Sequence, residues 1–300
     1  MNEAEIWKMK NAIPSFVGLN QIDDIDKAPF KFGHGLLGHP AMSIENLAAV
    51  IPALPSEQVF YSSGKLSKGD NFDRAHIDNK NGLSLEDTIN RMMDVDSYIM
   101  VRSPEVDPSF KDLFAELKSS VDEVIRLRGA GNRAVDPMLY MFIASPGSIT
   151  PFHIDRYSTF LLQFRGQKKV SIYPSWDEDI IKPEVLEGFM ARTGVRPQYD
   201  EVFAPKAQTF DFGPGEAIHI PFVAGHDVHN GRGDISISLS IIFNTKETQR
   251  QIEALSFNHL LRNRLKLSPV SVGQHDFSDR MKAQTYRAYS KTKTLFKGQR

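Results

Sequence analysis

The stretch TPFHIDRYSTFLLQFRGQKKVSIY, residues 150–173, carries the alternation that decides the fold. Thr159, Leu161 and Gln163 fall on one side, and Phe160, Leu162 and Phe164 on the other. A period of two belongs to a strand with two different faces. We read a strand over 152–164, a turn at Arg165-Gly166-Gln167 and a return strand over 168–173, together a hairpin. On the return strand Lys168 has the parity of Val170 and Ile172, while Lys169 goes with Ser171 and Tyr173. The same period therefore points Lys168 towards an apolar interior. A buried ammonium needs an anion to offset its desolvation. The alternative is that Lys168 stands at the mouth of a barrel and reaches water along its flexible stem.

Strand character extends to both sides. Residues 138–144 form a nearly continuous apolar run ended by Pro146-Gly147, and 208–212, 217–220 and 235–243 read as further short strands. Several such strands joined by glycine-bearing turns predict an antiparallel sandwich or barrel. A helical stretch over 184–192 interrupts them. Upstream, a Gly- and Pro-rich flank holds a short helix over 43–50 and the strand Val59-Phe60-Tyr61. Helical spacing follows over 85–93 and 109–127 (Leu113, Leu117, Val121, Val124), with a strand over 98–101 between them. After Asn244 the pattern returns to helix, through Ile252, Leu255, Leu260, Leu261 and Leu265, and a basic tail from Gln274 has room for one more. The expected organisation is a flank over 1–97, a β core over 98–244 and a helical segment over 245–300, integrated as one catalytic domain. The last segment could serve a homodimer interface or cap the barrel.

Composition narrows the chemistry. Of 300 residues, 41% are hydrophobic, enough for a sizeable core. Lys and Arg number 36 against 37 Asp and Glu, so no global field recruits nucleic acid or an anionic membrane. There is no cysteine, which excludes disulfides, thiolate metal sites and a cysteine nucleophile and leaves His, Asp and Glu as metal ligands. With no apolar leader or membrane-length run, the expected compartment is the cytoplasm.

His153 and Asp155 stand two apart on the expected strand, so both can approach one ion from one side. The tripeptide is weak evidence by itself, because His-Ile-Asp also occurs at 76–78, in a polar stretch that reads as a surface turn. A third ligand has to come from a distant strand. The segment 213–231 offers His219, His226 and His229, and spacing alone does not choose among them.

Residues 146–176 and 214–243 together resemble the JmjC oxygenases, in particular the bacterial cupin-like group and the asparaginyl hydroxylase of hypoxia-inducible factor. The likeness rests on Thr150-Pro151-Phe152-His153-Ile154-Asp155, on a lysine fifteen residues past that histidine, and on Gly215 to Pro221 followed by a histidine five residues later. The segment from His39-Pro40 to Pro55 is similar to the amino-terminal flank of the bacterial group. The resemblance implies a double-stranded β-helix, or jelly roll, with iron(II) held by His153, Asp155 and His226, and with His229 in reserve. It further implies that Lys168 and Thr150 bind the distal carboxylate of 2-oxoglutarate, with Thr159 and, more weakly, Tyr140 in the same pocket. Tyr140 reads equally as a core aromatic. The implied reaction is hydroxylation of a peptide, protein side chain or small molecule, or demethylation if the carbon bears nitrogen, with release of succinate and CO2. Two departures bear on the outer wall of the site: Gly225 and Asp227 flank His226, and Ile242 stands where the asparaginyl hydroxylase has a cofactor-binding asparagine. A metal-binding cupin dioxygenase or isomerase that does not use 2-oxoglutarate is one alternative, and a non-catalytic regulatory protein on the same fold is another.

Overall fold

The computed structural model describes residues 13–62, 65–78, 80 and 82–297. Its strands are β1 (Phe16–Val17), β2 (Phe30–His34), β3 (Val59–Ser62), β4 (Tyr98–Arg102), β5 (Val135–Ala144), β6 (Ile149–His153), β7 (Ser158–Arg165), β8 (Lys168–Ile172), β9 (Gln208–Phe212), β10 (Glu216–Ile220), β11 (His226–Asn230) and β12 (Ser236–Asn244). The helices are α1 (Ile44–Ala53), α2 (Ala75–Asp78), α3 (Leu85–Asn90), α4 (Lys111–Leu127), α5 (Pro183–Met190), α6 (Lys246–Leu265) and α7 (Asp276–Lys297). Among the described residues no helix is long and apolar enough to cross a membrane.

The strands make two antiparallel sheets, the jelly-roll arrangement expected. One runs β1-β2-β10-β7-β12-β5-β4-β3 and the other β6-β11-β8-β9. Alternation on the large sheet separates two environments. Ile99, Val101, Leu139, Met141, Phe160, Leu162, Leu239 and Ile241 all turn outward, where Leu113, Leu117, Val121 and Val124 of α4 close over them, every one of these fully buried. Truncating one, such as Leu117→Ala, removes about 2–5 kcal/mol of stability. The intervening side chains, Tyr98, Met100, Tyr140, Leu161 and Ile242 among them, face a cavity between the sheets. A second hydrophobic cluster joins the carboxy-terminal helices to the strands. There Ala254 and Leu255 of α6 and Ala283 of α7 pack with Phe152, Tyr173, Phe189 and Phe222. Thr245 starts α6 through reciprocal hydrogen bonds with Thr248.

Three readings of the sequence are corrected here. The run 152–164 is not one strand: β6 ends at His153, belongs to the small sheet and pairs with β11, whereas β7 starts at Ser158 in the large sheet between β10 and β12. Local alternation continues across a change of sheet, so periodicity does not reveal it. For the same reason the expected hairpin at 165–167 is a corner: β8 pairs with β9 and β11, not with β7. Gly166 makes that corner possible, with φ +71° and with the carbonyl of Ile235 filling the place a Cβ would take. The flank expected over 1–97 also adds strands to the β core expected over 98–244, because β2 pairs with β10 along the large sheet.

Candidate functional site

His153 closes β6 and His226 opens β11, and the two are paired across the small sheet. Their rings lie 4.1 Å apart. Asp155 follows in the link that crosses to β7, so the two ligand candidates two apart in sequence meet at a strand end and not along one strand face. One potential ligand atom from each of His153, Asp155 and His226 lies within 4.8 Å of the others, and Asp155 Oδ2 is 3.7 Å from His226 Nε2.

The backbone sets the orientation of both imidazoles. His153 Nδ1 donates to the Pro151 carbonyl at 2.7 Å, and His226 Nδ1 donates to the Ala224 carbonyl at 3.1 Å. Each ring thereby presents a lone pair on Nε2, the outer-shell arrangement that fixes the tautomer of a metal-ligating histidine. Phe72 stacks on His153 at 4.1 Å and 9°. Burial, then the nearby His226, holds the His153 imidazole well below its ordinary pKa, so it is neutral at neutral pH. Burial pushes the Asp155 carboxyl up, but His153, His226 and Arg196 together outweigh it and leave the pKa below the usual carboxylate value. Two imidazoles and one carboxylate converging from one side suit a divalent transition metal and leave coordination positions open. Asp155 is partly covered by Arg196, whose guanidinium lies 3.3 Å from Oδ1, donates to the Ile154 carbonyl and pairs with Asp73 at 2.8 Å.

The cavity behind this cluster has a volume of about 320 Å³. Lys168 projects into it from β8 and is 4% exposed. Its Nζ donates to Asn230 Oδ1 at 2.9 Å, and the Asn230 amide in turn donates to Ser148. No ion pair is made by Lys168 among the described residues, and burial pushes its pKa down to about 7. Thr150 and Thr159 line the same hollow. The Thr159 hydroxyl is buried with no partner among the described residues, and Thr150 is hydrogen-bonded by Tyr98, whose hydroxyl burial keeps protonated far above the usual range. Tyr140 is half-buried on the cavity wall, so the reading of it as a core aromatic does not hold.

The other histidines go elsewhere. His219 turns to the outer core, where its Nε2 accepts from the Asp26 N–H at 3.0 Å. His229 is 37% exposed and lies 3.3 Å from Asp227. The earlier His-Ile-Asp falls on α2, where positions two apart do not share a face, and Asp78 pairs with Arg74 at 2.8 Å; the side chain of His76 is outside the described ones. Gly225 is required by packing, since a Cβ there would meet the Phe152 ring at 2.6 Å. Asp227 points away from the cavity and is bound by Tyr173 at 3.2 Å and Lys68 at 3.3 Å, so it does not shape the outer wall. Ile242 does line the cavity.

Tyr98, Phe72, Arg196 and Asn230 are site neighbours that reading the sequence missed. Only Tyr98 had a usable signal, being out of phase with apolar Ile99 and Val101 on β4.

The model of the cupin-like domain matches residues 55–249. No curated protein matches the chain in sequence. Among solved structures, the ribosomal oxygenase YcfD of Escherichia coli with cobalt and 2-oxoglutarate is 16% identical, with a TM-score of 0.48 over 87% of this chain and 61% of that one. A structure of the same protein with cobalt and succinic acid is 15% identical, with a TM-score of 0.47 over 92% and 67%. The chain thus spans 61–67% of the length of these solved chains.

Proposed function

The chain belongs to the cupin-like domain family, and from the geometry of its His–Asp–His cluster we propose that it is an iron(II)- and 2-oxoglutarate-dependent oxygenase. His153, Asp155 and His226 would hold the metal. Lys168 would receive the distal carboxylate of 2-oxoglutarate, with Thr150, Thr159 and Tyr140 lining its binding place. The observation that carries this reading is the pairing of a convergent imidazole and carboxylate set with a buried ammonium whose partner among the described residues is an amide oxygen. A cupin that uses the metal without 2-oxoglutarate has no need of such an ammonium, and it costs free energy unless an anion arrives.

When bound, iron and 2-oxoglutarate supply the oxidising chemistry, with succinate and CO2 as products. The chain's own residues do the positioning. The carbonyls of Pro151 and Ala224 keep the two imidazoles in one tautomer and one orientation. Lys168 and the Thr159 hydroxyl draw a dicarboxylate to a single depth. Leu161, Ile220 and Ile242 keep the hollow apolar and limit water. The oxidised group is a carbon of a peptide, protein side chain or small molecule, giving hydroxylation, or demethylation where that carbon bears nitrogen.

Succinate formation from 2-oxoglutarate by the purified chain with added iron(II) tests the assignment. We expect turnover that Asp155→Ala abolishes. Absence of succinate from iron-loaded protein would leave a non-oxoglutarate cupin or a binding protein as the reading.

A further inference from the structure

Beyond the metal and cosubstrate positions, the cavity wall carries Arg102, Arg156, Arg192 and Arg196, on a chain whose overall charge is −1. Arg196 is satisfied by Asp73 and Asp155. The other three make no ion pair among the described residues. Glu105 is within electrostatic reach of Arg102 but beyond pairing distance, and Asp73 faces Arg156 while committed to Arg196. Arg156 donates twice to the Phe189 carbonyl, at 3.0 and 2.6 Å, and lies 3.7 Å over the Phe189 ring, so its plane is held but its charge is not offset. Burial, then the neighbouring charges of Arg192 and Arg196, lowers its pKa, which places Arg156 within electrostatic reach of both. Arg192 has φ +59° just past the end of α5, a place where glycine is unstrained. An arginine stands there instead, exposed at the cavity wall.

Among the described residues, protein groups do not offset all of the positive charge around this opening. On the oxygenase reading, Asp155 and the two carboxylates of 2-oxoglutarate offset a dication and the Lys168 ammonium, which leaves the inner site neutral. Asp73 offsets Arg196. Arg102, Arg156 and Arg192 remain unmatched around the same opening. Planar guanidinium groups beside aromatic rings are suited to carboxylate and phosphate oxygens. We propose that the substrate is anionic and docks a carboxylate or phosphate group on Arg102, Arg156 and Arg192 at the mouth of the cavity. This inference rests on the oxygenase reading for its use of the word substrate, while the anion site itself stands on the three arginines.

The test is fluorescence anisotropy of the metal-free full chain with fluorescein-labelled hexaglutamate, hexalysine as the charge control and inorganic pyrophosphate as competitor. Hexaglutamate should bind saturably and weaken as salt rises. Arg102→Ala and Arg192→Ala should each weaken it about fivefold, and the double variant should lose it. Arg192→Gln keeps bulk and hydrogen bonding, so a loss there is a loss of charge and not of fold. Displacement by pyrophosphate points to a compact anionic molecule, and resistance to it points to an acidic peptide; either supports the site. The proposal is overturned if hexaglutamate does not bind, if hexalysine binds equally, or if the double variant retains binding. Succinate formation without arginine-dependent binding sinks this inference alone. Arginine-dependent binding without succinate sinks the oxygenase reading.

Discussion

His219 and His226 stand seven residues apart, both buried, at 0% and 4% exposure, and they have opposite fates. His219 lies on β10 with its side chain turned to the outer core, against the rings of Phe30 and Phe160 at 5.0 and 5.3 Å. Both of its nitrogens are taken by backbone: Nε2 accepts from Asp26 at 3.0 Å and Nδ1 donates to the Thr159 carbonyl at 3.2 Å. His226 uses only Nδ1 on the backbone and turns Nε2 towards Asp155. Burial does not separate a candidate ligand from a structural histidine. The second ring nitrogen does, because only an unclaimed lone pair can bind a metal.

The largest effect expected from this contrast is on metal affinity. His226→Ala should weaken cobalt(II) binding by more than about 100-fold, since even outer-shell changes at such sites cost 10–100-fold. His219→Gln should leave that affinity within about twofold and instead lower stability by about 1–3 kcal/mol, through the orphaned Asp26 N–H. Calorimetric metal titration and thermal melts read both. Equal metal loss in the two variants would erase the distinction.

Next in size, Lys168→Ala should raise the dissociation constant for 2-oxoglutarate about tenfold to 100-fold while the metal still binds. In the wild type, burial sets the ammonium near pH 7, and an incoming carboxylate raises that value again. Binding of 2-oxoglutarate at pH 8 should therefore take up a proton, visible as a dependence of the binding heat on buffer ionisation enthalpy. Lys168→Ala should lose this uptake.

A third test uses the depressed pKa of His219, lowered from 6.5 to about 4 mainly by burial. Between those values the unfolded chain binds a proton that the folded chain refuses, so the contribution is complete above pH 6.5 and falls as pH drops towards 4. The full loss amounts to about 3 kcal/mol. Denaturant melts from pH 7 to 4 should show a shallower decline in His219→Gln than in wild type. The smallest effect belongs to the earlier His-Ile-Asp: His76→Ala should leave metal affinity unchanged within about twofold.

How much of this was legible depends on which information each feature needs. Lys168 points inward because its parity with Val170 and Ile172 is local, and parity needs only the backbone period. The outer stripe on α4, Leu113 to Val124, is equally local. Sheet membership is not: the break between His153 and Ser158 and the corner at Gly166 are decided by which distant strand offers hydrogen bonds. β11 was not recognised as a strand because HDVHN has neither apolar alternation nor β-branched enrichment, only Val228. Its strand state comes from β6 and β8 on either side. The same dependence on distant neighbours hid Arg196 and Phe72, which reach the cluster from far along the chain.

Visible absorption under anaerobic conditions, with iron(II) added first and 2-oxoglutarate second, separates a shared metal and cosubstrate site from a merely structural cluster. A charge-transfer band that needs both additions is expected in wild type and His219→Gln and not in His226→Ala. No band in the wild type, or a band that survives His226→Ala unchanged, would contradict the shared site.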